Sequence, residues 1–182
     1  MEIALFGGSF DPPHVGHLLA ATYVLATEPV DELWLVPVHE HPFGKQLIGS
    51  YEHRVELCRA MIEDAGLRRA RVSRVEAELG GQVRTVDLLE HLHRTHPGVG
   101  FALVLGSDLA SERSQWKRFD RVQELARIIE LPRGGYTGSG IAMPQVSSTE
   151  VRGLLASGGD ASRLVPRAVL DRIRAAGTYG LR

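Results

Sequence analysis

Cysteine is nearly absent from this sequence: Cys58 is the only one, so no disulfide can form within the chain. That excludes the disulfide-stapled class of small scaffolds and fits a reducing compartment. Cys58 itself stands among Val55, Leu57, Met61 and Ile62 in a helical pattern and reads as a small core residue. An excess of either charge is also missing. The formal net charge is −1, which argues against a general nucleic-acid binder, whose footprint is a basic surplus. It does not exclude an anionic small substrate, because a few local cations suffice for a pocket. No apolar run approaches membrane-spanning length. The N-terminus lacks the basic region, apolar run and small-residue cleavage site of a signal peptide. A cytoplasmic protein with no membrane partner and no nucleic-acid partner is therefore expected. Neither an internal repeat nor a linker divides the 182 residues, so one domain, 1–182, is expected, large enough to bury a core without staples. Finally, G-x-G-x-x-G is absent, and NAD as a hydride carrier is not expected.

What is present concentrates first at the N-terminus, in Ile3-Ala4-Leu5-Phe6-Gly7-Gly8-Ser9-Phe10-Asp11-Pro12-Pro13-His14-Val15-Gly16-His17. Ile3 to Phe6 reads as a buried strand. Gly7 and Gly8 break that run and permit backbone conformations, or a ligand approach, that a Cβ would forbid. Asp11-Pro12-Pro13 enforces an extended turn, after which Leu18, Ala21 and Leu25 recur at helical spacing. His14 and His17 thus stand at a helix entrance, where unpaired backbone N–H groups and the positive end of the helix dipole favour anions. Two imidazoles three residues apart can face one bound group, which suggests a phosphate site. The plainer alternative is a strand-to-helix corner with ordinary surface histidines.

Further strands are predicted over Glu32–Val38, Arg71–Val75, Gly100–Leu105 and Arg127–Leu131, separated by helices. The alternation predicts an α/β fold, a mainly parallel sheet with helices on both faces. Strand ends are where such folds place ligand groups. After the second strand, His39-Glu40-His41 can bind a transition metal, or Lys45 can reach a phosphate. Ser50 caps a helix from Tyr51 to Ala65 that Gly66 ends. Arg54 in its first turn opposes the helix dipole, so it either meets a bound anion or faces solvent. Thr85 to Arg94 forms a helix whose His91 and His93, with His96 just beyond, read as surface residues. Gly106-Ser107-Asp108 ends the fourth strand with a carboxylate able to accept hydrogen bonds from ribose hydroxyls or to cap a helix. Trp34 reads as core, whereas Trp116 lies in a polar stretch where a flat ring can stack on a heteroaromatic substrate. Ser147 and Glu150 have capping-box spacing. Capping does not account for Ser148, Thr149 and Arg152 gathered in the same turn, a set able to hold a triphosphate.

The His14-Val15-Gly16-His17 motif after Gly7-Gly8-Ser9-Phe10-Asp11-Pro12 resembles the signature of the nucleotidyltransferase superfamily. With Ser147-Ser148-Thr149 and Arg152, the chain is most similar to bacterial nicotinate mononucleotide adenylyltransferases, over essentially its full length. The resemblance implies a Rossmann-like fold of nucleotidyltransferase type and transfer of AMP from ATP to nicotinate mononucleotide. It implies His14, His17, Lys45 and Arg152 as catalytic residues. Gly7, Gly8, Ser9, Phe10, Asp108, Ser148 and Thr149 would bind ATP with His14, His17 and Arg152. Lys45, Arg54, Arg84, Thr85, Trp116 and Arg133 would receive the acceptor. Mg²⁺ would accompany ATP, without a dedicated protein cage. Arg84 departs from the pattern, since the family has a tyrosine before the threonine. The same chemistry on nicotinamide mononucleotide or pantetheine phosphate, or a non-catalytic nucleotide-binding regulator, are the alternatives. Association with further copies of the chain is compatible with all of these.

Overall fold

The computed structural model describes residues 1–40, 46–106, 116, 118–132 and 143–180. Five parallel strands make one sheet in the order β3-β2-β1-β4-β5: β1 (Glu2–Gly8), β2 (Glu32–Pro37), β3 (Ala70–Val72), β4 (Gly100–Gly106) and β5 (Arg127–Leu131). The helices are α1 (Val15–Thr27), α2 (Tyr51–Asp64), α3 (Val75–Leu79), α4 (Thr85–Thr95), α5 (Phe119–Leu125), α6 (Ser148–Ala156) and α7 (Arg167–Ala176).

Period-two alternation along each strand sends neighbours to opposite faces. Ala4, Leu33, Leu35, Ala102 and Val104 pack with α1, α2, α6 and α7. Ile3, Leu5, Trp34, Val36, Phe101 and Leu103 pack with α3, α4 and α5. Both faces are thus covered, which is why the central strands are near-continuous apolar runs. Cys58 is fully buried in the first layer, and burial pushes its thiol above the ordinary range.

From β1 the chain winds outward through β2 and β3, then returns to the other side of β1 for β4 and β5. The reversal falls between β1 and β4. Their pairing ends at Leu5–Leu103, although the strands continue to Gly8 and Gly106. The two strand ends separate there, opening the crevice that such sheets use for ligands.

Three local expectations are revised. Gly7 and Gly8 extend β1 rather than break it, paired with Val36 and Pro37. The third strand stops at Val72, and Val75 instead opens α3 and is buried in the second layer. The histidines of α4 are not simply surface residues. His93 Nε2 lies 2.7 Å from the Leu125 carbonyl, and the His96 ring meets Trp34 edge-on at 5.4 Å.

Burial ranks the cost of truncation. Leu89 is 0 % exposed in the second layer and Leu19 on α1 is 48 % exposed. In urea denaturation Leu89→Ala is expected to lose about 2–5 kcal/mol, and Leu19→Ala to stay within about 0.5 kcal/mol of the parent. Equal effects of the two would contradict this layering.

Candidate active site

The N-terminal corner is built on a strained residue. Phe10 has φ 46°, a region costly for a bulky side chain, yet is completely buried. Its ring packs against Phe6 at 5.7 Å and His17 at 4.8 Å. His14 caps α1, and its N–H donates to His17 Nδ1 at 3.2 Å. With Nδ1 accepting, a neutral His17 ring carries its proton on Nε2 and can donate there. The two imidazoles stack with centroids 3.8 Å apart. Gly16 between them has a steric reason, because a Cβ would stand 3.0 Å from His14 Nδ1. No acidic side chain lies in the first turn of α1, so its positive end is not neutralised from within.

The second motif docks directly onto this corner. Ser147 caps α6 by accepting from Glu150 N–H at 3.1 Å. Ser148 Oγ donates to the Pro12 carbonyl at 2.9 Å, and Arg152 Nη1 to the Asp11 carbonyl at 2.5 Å. Arg152 Nη2 reaches Thr149 Oγ1 at 3.1 Å. Hydroxyls and a guanidinium from residues 148–152 therefore meet the α1 entrance although the bonded residues are 136 and 141 positions apart in sequence. A cleft of about 30 Å³ lies between Phe6, His14, His17, Gly106 and Val146. A larger hollow of about 400 Å³ is lined by Trp34, Arg71 and His96. It lies at the β3 side of the sheet and contains none of the motif residues, so chemistry places the site at the smaller cleft.

Arg54 belongs to neither alternative read from the sequence. It is 1 % exposed and donates to the carbonyls of Gly49, Ser9 and Val38 at 3.1, 2.8 and 2.7 Å. In this structure the guanidinium, expected from the sequence to meet the acceptor, is turned inward onto backbone and braces the corner. Arg84 is exposed at the start of α4, next to Thr85. Trp116 is half-buried and packs edge-on against Phe119 at 5.9 Å, in the α3–α5 layer. Those three share a layer of the fold, opposite the one carrying His14, His17, Ser148 and Arg152. A Cβ on Gly7 would meet nothing within 4 Å among the described residues, leaving open space beside β1. Lys45, Asp108 and Arg133 lie outside the described residues, as does His41.

Two carboxylates near the site were assigned no role from the sequence. Asp11 is 1 % exposed and accepts from Ile48 N–H, Gly49 N–H and Tyr179 Oη–H at 2.8, 2.8 and 2.7 Å. Glu76 accepts from His39 N–H at 2.8 Å, just beyond the end of β2. Burial pushes its carboxyl up to about 7, outweighing that hydrogen bond and the nearby Arg54 charge. A proline turn signals Asp11 only as a turn residue, and nothing local marks Glu76.

A family model described as Cytidylyltransferase-like matches residues 5–154. A relative named "Probable nicotinate-nucleotide adenylyltransferase" from Myxococcus xanthus (strain DK1622) is 46% identical, the match covering 100% of this chain and 96% of the relative. Another of that name, from Anaeromyxobacter dehalogenans (strain 2CP-C), is 49% identical over 98% of this chain and 96% of its own. Among solved structures, a Plasmodium falciparum nicotinic acid mononucleotide adenylyltransferase complexed with NaAD superposes with TM-score 0.86, covering 100% of this chain and 98% of that one. At 20% identity that likeness speaks for the fold. The chain belongs to the cytidylyltransferase-like family of nucleotidyltransferases, the class that its sheet and H-x-G-H corner define. Its narrower kin, matched from end to end, are the nicotinate-nucleotide adenylyltransferases.

Glu76 makes stability depend on pH in a definite direction. Its carboxyl is raised from the ordinary 4.5 to about 7 in the folded chain. Between those values the folded state binds more protons than the unfolded state, so this group's contribution is complete below 4.5 and lost as pH rises through about 7. Glu76→Gln is expected to flatten that part of the pH–stability curve, measured by urea denaturation at several pH values. Parallel curves for variant and parent would remove Glu76 from the account.

Proposed function

We propose that this protein transfers AMP from ATP to nicotinate mononucleotide, forming nicotinate adenine dinucleotide and pyrophosphate, a step of NAD biosynthesis. The observation that carries the reading is the docking of the Ser148–Arg152 turn on the Asp11–Pro12 carbonyls, beside the two histidines at the α1 entrance. The names borne by the full-length relatives supply the acceptor.

An acceptor phosphate oxygen attacks the α-phosphorus of ATP in line. The bond to the bridging oxygen breaks and its electrons leave with pyrophosphate, so no enzymic nucleophile is needed. Catalysis then rests on placement and on donors aimed at developing charge. His14 and His17 donate to the α- and β-phosphates, assisted by the α1 dipole. Ser148, Thr149 and Arg152 hold the polyphosphate, and the backbone from Gly7 to Phe10 borders the nucleotide. On the family resemblance, Lys45 adds a cation to the phosphates, Asp108 receives the ribose, and Arg84, Thr85, Trp116 and Arg133 receive the acceptor.

The described residues contain no group of three or more imidazole, carboxylate or thiol ligands that could hold a metal. Mg²⁺ fits as a companion of ATP, bound by phosphate oxygens and water, where it neutralises phosphate charge. The chain would act as a single domain in the cytoplasm, alone or as a homo-oligomer. No helix among the described residues is long and apolar enough to cross a membrane.

Purified protein given ATP, Mg²⁺ and nicotinate mononucleotide is expected to release pyrophosphate, with His17→Ala lowering kcat by about 100-fold or more. Unchanged turnover in that variant would take His17 out of the mechanism. In a parallel acceptor series, nicotinamide mononucleotide and pantetheine phosphate should give lower kcat/KM. A higher value for either would reassign the acceptor, and ATP binding without turnover on all three would indicate a regulator.

A further inference from the structure

The last described turn of the chain reaches into the corner at its beginning. Gly177 ends α7 in the left-handed conformation, and Tyr179, at φ 57°, folds back so that only 6 % of it is exposed. Its hydroxyl donates to Asp11 Oδ1 at 2.7 Å. Burial and that carboxylate push the phenol well above its ordinary range, so it stays a donor at any working pH. The contact is sterically reserved: a Cβ on Gly49 would collide with the Tyr179 hydroxyl and stand 3.1 Å from Asp11 Oδ1. Beside it, His53 Nε2 and Thr178 Oγ1 pair at 2.9 Å, which anchors the same turn to α2 without touching Asp11.

Asp11 joins this turn to the proposed phosphate-binding group. Its carboxylate gathers Tyr179, Ile48 and Gly49, while its carbonyl accepts from Arg152 Nη1. Arg152 Nη1 is also 3.9 Å from Asp11 Oδ2. The guanidinium is therefore held by both polar ends of Asp11 as well as by Thr149 Oγ1, and Tyr179 is the one side chain that donates to the Asp11 carboxylate beside the Ile48 and Gly49 N–H groups. A tether that only closed the fold would not need to end on the residue that orients Arg152.

We propose that Tyr179 is a positioning residue for adenylyl transfer, which through Asp11 sets the Arg152 guanidinium for the ATP phosphates. The inference rests on the reading of Arg152 as a phosphate ligand. Tyr179 touches no substrate; its effect belongs in how well ATP is held and aligned.

A double-mutant cycle on the full chain tests this, reading kcat and KM for ATP by pyrophosphate release at saturating nicotinate mononucleotide. Temperatures are kept well below the melting point of every variant. Tyr179→Phe deletes one hydroxyl and is expected to lower kcat/KM for ATP by about tenfold, a coupling usual for groups in one hydrogen-bonded network. In an Arg152→Ala background the same change should cost nothing further. Thr178→Val removes the neighbouring tether and should leave kcat/KM for ATP at the parent's value. Two results would overturn the proposal: a lowered melting point in Tyr179→Phe with full ATP efficiency, or an equal loss in both backgrounds. Arg152→Ala with parental efficiency would instead sink the phosphate-ligand reading, and would show itself before the Tyr179 arm is consulted.

Discussion

The buried carboxylate of Asp11 is the contact on which the rest of this structure depends. A charged group at 1 % exposure survives only when its acceptor capacity is met, and here two backbone N–H groups and a phenol meet it. Arg54, equally buried, spends its guanidinium on three backbone carbonyls, and the Asp11 charge nearby partly offsets the desolvation that lowers its pKa. The two residues also hold Phe10 at a positive φ, because Arg54 fixes Ser9 on one side and the Asp11 contacts fix the chain on the other. Strain of that kind persists only where neighbours over-determine it. The H-x-G-H corner is therefore a consequence of the Asp11–Arg54 bracing rather than a free-standing loop.

The same bracing explains why segments from the whole length of the chain converge on one crevice. The sheet order alone would set the ends of β1 and β4 together, because the winding reverses there. It would not deliver α6. That helix arrives because Ser148 and Arg152 find two carbonyls left unpaired by the proline turn, Pro12 and Asp11. Buried carbonyls need donors, and donors supplied by a hydroxyl and a guanidinium bring with them the groups a polyphosphate needs. Structure and chemistry thus draw on the same side chains.

How much of this could be read beforehand follows from which interactions leave a local trace. The strands, their alternation and the caps at Ser50 and Ser147 are local, and the observed elements match them closely. The corner and the Ser148–Arg152 turn were legible as motifs. Arg54 was not, because its partners are carbonyls of Ser9, Val38 and Gly49, brought near only by the fold. An arginine in the first turn of a helix reads as a cation opposing a dipole; nothing local says that it points inward. Glu76, Tyr179 and the half-buried histidines of α4 were hidden for the same reason. Their significance lies in burial against distant segments, and periodicity does not report that. Val75 is a smaller case, an apolar residue whose burial suits strand and helix equally, so only the end of pairing with β2 decides between them.

A net charge of −1 looks poorly suited to a site for a polyanion. The arrangement resolves this by relying on directed donors rather than on bulk charge. At the corner the positive end of α1 has no acid in its first turn, and His17 accepts at Nδ1, which in the neutral ring puts the proton on Nε2. Arg152 brings a positive charge there, and it is partly answered by Asp11 at 3.9 Å. Elsewhere several arginines are taken up in surface pairs, as Arg74 is with Glu52 and Arg127 with Glu2 and Glu28. Such a site discriminates by geometry more than by attraction, since each fixed donor is strong only toward an oxygen placed on its axis. That suits a reaction whose charge moves from a phosphorus centre to a departing pyrophosphate. It also makes the rigidity of the corner, and hence Asp11, the quantity on which the rate should depend.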